Sequence, residues 1–362
     1  MRSIAFHPFP TQVRAGTGRA KGPGGMRGTI IAVGLVAAVL AGGWLGAETM
    51  AARHVAALIR DDPGLEAASV APLRDPRQIG IRLSEPQLRD PALSVAMPWA
   101  RLSLSPLSPL TARLDLPDAV RVIQAGQAMD LAWQDPRASV ALAPLNRMAP
   151  DALDLQARAV TLDGLPLAQG LSLRADLGAL GSDAPRPARA AYDIAIALEG
   201  VQTQALAMLG LDAGPLPGPI SVRGPLRVWL DATPSLGADA APGPQVVGWQ
   251  TAGLDMQAGD IGLRLVGRLS RDAQGRAEGQ VALYSPDADA MIGLAAGLGL
   301  IPPQGRLLLR AGLAQLAQAP LDATLPGPAF PEPAPGELRL PVIMRDGQLI
   351  LGGLPVGPAP AI

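Results

Sequence analysis

The sequence predicts a mainly β (α+β) fold: an N-terminal transmembrane helix followed by a large, elongated antiparallel β-sheet domain with a few short helices. Three observations predict it. Residues 28–47 carry no charge. From about residue 66 onward, apolar and polar residues alternate with a period of two, the pattern of half-buried strands. Helical periods are few and do not alternate with the strands, which argues against a parallel, doubly wound sheet.

In chain order, residues 1–27 are expected to be a cytoplasmic basic tail, 28–47 a transmembrane anchor, 48–64 a helical stalk, and 65–362 a periplasmic β-rich domain with a candidate subdivision near 180–245. The stretch "GTIIAVGLVAAVLAGGWLGA" has the 20 residues a helix needs to cross the hydrocarbon core. Arg2, Arg14, Arg19, Lys21 and Arg27 precede it without an acidic residue, and the positive-inside rule places them in the cytoplasm. A cleaved signal peptide is the rival reading. The apolar run is longer than a usual signal core, and no A-x-A site follows it. The segment "ETMAARHVAALIRDDPG" continues in helical period through Met50, Val55, Leu58 and Ile59 and stops at Asp61-Asp62-Pro63-Gly64.

Beyond it, strands are predicted at "RQIGIRLSE", "ALDLQARAVTL", "GLSLRADL", "YDIAIALEG", "PLRVWLDA", "IGLRLVGRLS" and "EGQVALY", then at "GRLLLRAGL" (305–313), "LRLPVIM" (338–344) and "QLILG" (348–352). Hairpin turns are predicted at 271–276 and at Asp346-Gly347, a pair suited to a two-residue type I′ turn. Helices are predicted at 203–211 and at 285–303, the second with Ser285 as N-cap and Pro286 opening it. The Pro/Gly-rich stretches 181–189, 234–245 and 326–336 read as loops.

Composition removes most catalytic chemistry. Cysteine is absent, the histidines are His7 and His54, and Lys21 is the single lysine. The body therefore offers no thiolate, imidazole or amine for nucleophilic catalysis, and none of the usual zinc ligands other than carboxylates. Five of the 30 basic residues and none of the 31 acidic ones precede residue 48, so the remainder carries a formal charge of −6, which argues against a nucleic-acid surface. Aromatics make up 3% of the chain, so the core must be aliphatic.

The remaining candidates have bland explanations. His54 is a lone polar residue in the stalk, with a pH-sensing role as the alternative. Asp287 and Asp289 are read as first-turn helix acids, with a divalent-ion pair as the alternative. Asp151 with Asp154, or Asp61 with Asp62, could serve as acid and base, but no spacing or partner sets them apart from solvated carboxylates. "GLAAGLGL" (293–300) falls inside a predicted helix, not between a strand and its helix, so no phosphate loop is read there. Trp99, Trp133, Trp229 and Trp249 are expected to pack on the sheet, one of them alternatively facing a ligand. No catalytic, cofactor-binding or metal residue is assigned, and no cofactor is expected. An enzyme would have to work with carboxylates, Ser, Tyr192 or Tyr284, and Arg.

"WQTAGLDMQAGDIGLRLVGRLSRDAQGRAEGQVALY" (249–284) and the ending "MRDGQLILGGLPVGPAP" resemble an alphaproteobacterial family, domain of unknown function 2125. The likeness is strongest over roughly 200–362 and carries over no catalytic residue. The closing stretch is read as a hairpin whose prolines end the pairing, with Leu349 and Leu351 on one face. A looser, architectural likeness is to the AsmA-like envelope proteins, which join one anchor to an aliphatic-lined sheet and imply lipid handling. The expectation is a non-enzymatic protein of the bacterial inner membrane, N-terminus cytoplasmic and main domain periplasmic, binding lipid or another amphiphile in an apolar β-groove for envelope maintenance. The alternative is a scaffold whose partners are other envelope proteins.

Overall fold

The computed structural model describes residues 44–61, 64–75, 78–89, 93–105, 107–124, 126–143, 146, 149–208, 218–234, 244–287, 317–351 and 353–362. The expected tail and most of the expected anchor lie outside them, as do Lys21 and His7. Helix α1 (Trp44–Asp61) crosses the expected anchor–stalk boundary. Among the described residues, no helix is long and apolar enough to cross a membrane.

The rest is one antiparallel sheet of nineteen strands among the described residues. Four passes of the chain are each split in two: β1 (Leu65–Glu66) with β2 (Ser69–Pro72), β3 (Ile79–Ser84) with β4 (Gln87–Arg89), β5 (Leu93–Ala96) with β6 (Trp99–Ser105), and β7 (Ser108–Asp115) with β8 (Ala119–Gln124). β9 (Gln127–Ala143) makes the fifth pass unbroken. Pairings of β3 with β6 and β4 with β5, and of β7 and β8 with successive parts of β9, show that each split pass still runs beside its neighbour.

The breaks share a cause. Pro86, Pro98 and Pro117 stand at three of them, and a residue without an N–H cannot hold a mid-sheet ladder. β9 crosses the same line at Asp135 and Pro136, Asp135 taking a positive φ of 48°. Across the line, Glu85 N–H donates to the Pro98 carbonyl (3.0 Å) and Met97 N–H to the Pro86 carbonyl (3.1 Å). The prolines therefore crease the sheet without cutting it.

Regular passes follow: β10 (Ala149–Leu162), β11 (Leu165–Gly178), β12 (Ala190–Val201), β13 (Ile220–Leu230), β14 (Val246–Ala258), β15 (Ile261–Arg271), β16 (Ala277–Ser285), β17 (Leu338–Arg345), β18 (Gln348–Leu351) and β19 (Leu354–Pro358). Each pairs with the next, so the ladder runs unbroken through 180–245 wherever residues are described. Curvature enters β13–β16 through glycines. A Cβ on Gly224, Gly267 or Gly279 would sit 2.4–2.5 Å from a carbonyl oxygen of the neighbouring strand.

Every predicted strand among the described residues is present, and the helix at 203–211 appears as α2 (Thr203–Met208), its last residues lying outside the described set. The strand at 305–313 and nearly all of the helix at 285–303 also lie outside it. Ser285 closes β16, where its hydroxyl donates to the Gly262 carbonyl (2.8 Å) and accepts from Asp287 N–H (3.1 Å). Asp346 and Gly347 take φ of 54° and 71°, the two positive values a type I′ turn requires. Leu349 and Leu351 are both buried in the core, as expected.

The closing prolines do not end the pairing. β19 returns along β18, and the tail continues onto the 271–276 hairpin, where Ala277 N–H donates to the Pro360 carbonyl (2.7 Å) and Ile362 N–H to that of Gly275 (3.0 Å). Proline carbonyls still accept, and the ladder here uses them.

α1 lies against the start of the sheet. Ala52 and Val55 are buried with Ile81, Leu102 and Leu104. The buried Glu48 carboxylate accepts from the N–H groups of Arg74 (3.1 Å) and Gly80 (3.2 Å), fixing the helix to the connection between β2 and β3. Met50, on the predicted apolar stripe, is 65% exposed. The side chains of His54, Leu58 and Asp61 lie outside the described residues.

Candidate functional site

Strand register decides which side chains share a face. In β10 to β12, Leu155 stands beside Leu173 and Leu173 beside Ile196; Ala175 stands beside Ile194 and Leu171 beside Leu198. The row continues into β13 through Leu226 and Val228, and into β14 through Trp249 and Met256. It reaches β15 at Leu263 and Leu269, β16 at Val281 and Leu283, and β17 at Leu340 and Val342. One face of the sheet is therefore aliphatic across eight consecutive passes. Bulges in β14 keep it so, since the extra residue between Thr251 and Leu254 restores the alternation that an odd count would have inverted.

The reverse face is charged along β10–β13. Arg174 binds Asp176 at 2.9 Å, Arg223 pairs with Glu199, and Arg227 lies 3.7 Å from Asp193. These pairs are exposed and contribute little to stability, but they keep that side of the strands wet. At one end of β11–β16 this face holds a polar recess of about 800 Å3, lined by Ser221, Arg223, Asp255, Gln257, Arg264 and Glu337 among others. Arg264 donates to Glu337 at 3.3 Å and lies 4.9 Å over the Tyr284 ring.

The same aliphatic face differs along its length. From β15 to β18 it is closed: Leu263, Leu283, Leu340, Val342, Met344 and Leu351 are buried. From β10 to β13 it is half-open, with Leu155, Leu173, Ile194, Ile196, Leu198 and Val228 each partly exposed to solvent. The reverse face differs likewise. Over β15–β17 it is covered, Val266, Ala282 and Tyr284 packing against Leu321 and Phe330. The loop at 181–189 covers Trp229, which is fully buried with Ala191 and Val247.

The residues singled out from the sequence fall as follows. Asp151 is exposed, and Asp154 faces Arg174 on the charged side while accepting from Gln156 at 3.1 Å. Three apart along one strand, they project to opposite sides and form no acid–base pair. Asp287 closes the Ser285 turn; Asp62 and Asp289 lie outside the described residues. Tyr192 donates to the Pro150 carbonyl (2.9 Å), and burial, aided by the Asp151 charge, pushes its hydroxyl up to about 12. Tyr284 donates to the Pro331 carbonyl (2.9 Å), and burial raises its pKa as well. Both hydroxyls act as ties between segments.

Trp133 donates to the Pro117 carbonyl (2.8 Å) beside the crease, and Arg101 lies 5.1 Å over Trp99. Trp249 stands on the aliphatic face. No cluster of three or more ion-binding side chains occurs among the described residues. Sequence reasoning passed over Arg268, 5% exposed, which lies 4.7 Å over Trp229 and donates to the Asp183 carbonyl at 2.6 Å. Its burial lowers its pKa against the opposing pull of Asp183. Arginines recur along β15 at Arg264, Arg268 and Arg271, so no local signal set Arg268 apart.

With this geometry established, comparison with known proteins adds one finding. A family model described as "Uncharacterized protein conserved in bacteria (DUF2125)" matches residues 76–360. The chain belongs to the DUF2125 family. The match takes in the passes from β3 to β19, well beyond the region of strongest resemblance in the sequence, and leaves β1, β2 and α1 outside it. No curated protein and no solved structure matches the chain. These comparisons do not show the likeness to AsmA-like envelope proteins.

Proposed function

We propose that this DUF2125 protein is anchored in the bacterial inner membrane by residues 28–47, faces the periplasm, and holds the chains of a lipid or similar amphiphile against its sheet. The observation that supports the reading is the half-open aliphatic face of β10–β13, backed by a charged reverse. A row of partly exposed apolar side chains on one side of a sheet is the kind of surface that interaction sites use. Its lining is aliphatic and carries few polar groups, so it suits alkyl chains better than a polar ligand. Binding alone requires no acid, base or nucleophile.

Photo-crosslinking in cells tests this. A benzophenone amino acid replacing Ile196, on the aliphatic face, is expected to form lipid adducts detectable by mass spectrometry; the same residue replacing Ala195, on the charged face, is not. Equal labelling at the two positions, or none at either, overturns the reading. A protein adduct at Ile196 instead of a lipid supports the alternative of an envelope scaffold, since a protein partner would cover the same face.

A further inference from the structure

Beneath α1 the crease in the first passes forms a half-open cavity of about 150 Å3. Val55 and Ile59 of α1 form its roof, Leu83, Leu102 and Leu114 one wall, and Leu88, across the proline line, the other. Glu66 and Gln87 also border it, but both side chains are engaged by Arg89, at 2.6 and 3.2 Å. The remaining lining is apolar. A half-open cavity of this size and apolar lining has room for the end of a hydrocarbon chain, about the volume of benzene.

Its wall is not separate from the aliphatic face. Leu102 stands beside Leu114, Leu114 beside Ala138, Ala138 beside Leu155, and Leu155 beside Leu173. The cavity is the place where that face passes under the helix. Val55 lies eight residues beyond position 47, about 12 Å along a helix, so the pocket lies about two turns past the expected anchor, beyond the contacts of Glu48 and Ala52.

We infer that this cavity receives the methyl end of an acyl chain whose remainder lies along the aliphatic face. The inference rests on the proposed lipid-binding reading but adds a definite end-point. Chain length would then be read by how far the chain must reach past Leu155 and Leu114 to seat its terminus beneath α1.

The test uses the full chain in nanodiscs of phospholipid with deuterated acyl chains, and dodecanoate carrying a 13C-labelled terminal methyl. Nuclear Overhauser contacts from that methyl to Leu102 and Leu114 are expected. Ala100→Leu, which grows into the cavity, should remove them and weaken dodecanoate binding about tenfold, the equivalent of two methylenes left unburied. Leu116→Phe at the rim is the second filling variant should the first not fold, thermal unfolding serving as the check. Contacts confined to Leu173 and Ile196 overturn the cavity and leave the face reading standing. Contacts to neither set overturn both, and undiminished cavity contacts in a folded filling variant overturn the inference alone.

Discussion

The sheet carries one aliphatic face, yet β15–β18 and β10–β13 use it differently. In the later passes Leu340, Met344 and Leu283 are at most 1% exposed, and the reverse face is buried too, with Val266, Ala282 and Tyr284 at 0%. In the middle passes Leu173, Ile194 and Ile196 remain partly exposed, and Ala195 and Glu199 on the reverse face are solvated. The alternation that builds the two regions is the same. On the aliphatic side the difference is that Val356, Ala359 and Ile362 of the C-terminal tail pack with the later passes; on the reverse side it is that two irregular segments, 181–189 and 317–336, are tied over β13 to β17 by Arg268, Tyr284 and Gln280. The later passes therefore form a packed core that stabilises the sheet, and the middle passes a partly exposed apolar surface, the one on which the proposed binding rests.

The most direct way to break this comparison is to shorten one side chain in each region. Leu340→Ala in the closed region should cost about 2–5 kcal/mol, transfer and cavity contributions together. Leu173→Ala, partly exposed and free to collapse, should cost about 1 kcal/mol. Denaturant midpoints at unchanged slope measure both. Equal costs would mean that the middle face is as well packed in solution as the later one, and the binding reading would lose its surface.

A second pair concerns how the closed region is curved. A Cβ at Gly267 would lie 2.5 Å from the Gln280 carbonyl oxygen with φ at +150°, whereas at Gly262 it meets nothing within 4 Å. Gly267→Ala should cost about 1–3 kcal/mol through forced backbone shifts, and Gly262→Ala less than about 0.5 kcal/mol. Similar behaviour of the two variants would show that the glycines do not set the bend.

The sequence made the regular passes legible because each is a clean period-two run closed by a turn; Asp346-Gly347 could be named to the turn type. It concealed the passes between 93 and 143, since Pro98, Pro117 and Pro136 interrupt them and a proline reads as the end of a strand. In the fold those prolines line up into one crease, a relation between neighbouring strands that no local pattern contains. The aliphatic face was legible as alternation. Its division into closed and half-open parts was not, because it depends on where the C-terminal Val356, Ala359 and Ile362 settle. Glu48, bound by the amides of Arg74 and Gly80, was hidden for the same reason: its partners lie 26 and 32 residues away.

The smallest effect bears on the covering loop itself. Asp322 accepts from the Thr324 hydroxyl and N–H and from Arg345 (2.5 Å), and these bonds hold its carboxyl down to about 2. Its own N–H donates to the Gln280 side chain (2.8 Å), pinning 317–336 to β16. Because the folded pKa lies below the unfolded value of about 3.9, the stabilisation is complete above about pH 4 and is lost as pH falls toward 2. Asp322→Asn removes the titrating group while keeping the shape. The melting temperatures of wild type and variant should differ at pH 5 and converge between about pH 4 and 2. Over the same window, amide exchange should rise at Val266 and Ala282 while Ile194 and Ile196 stay as they were. Rises of equal size in both regions would show that acid loosens the sheet as a whole, and that the covering of the later passes is not what separates them from the middle ones.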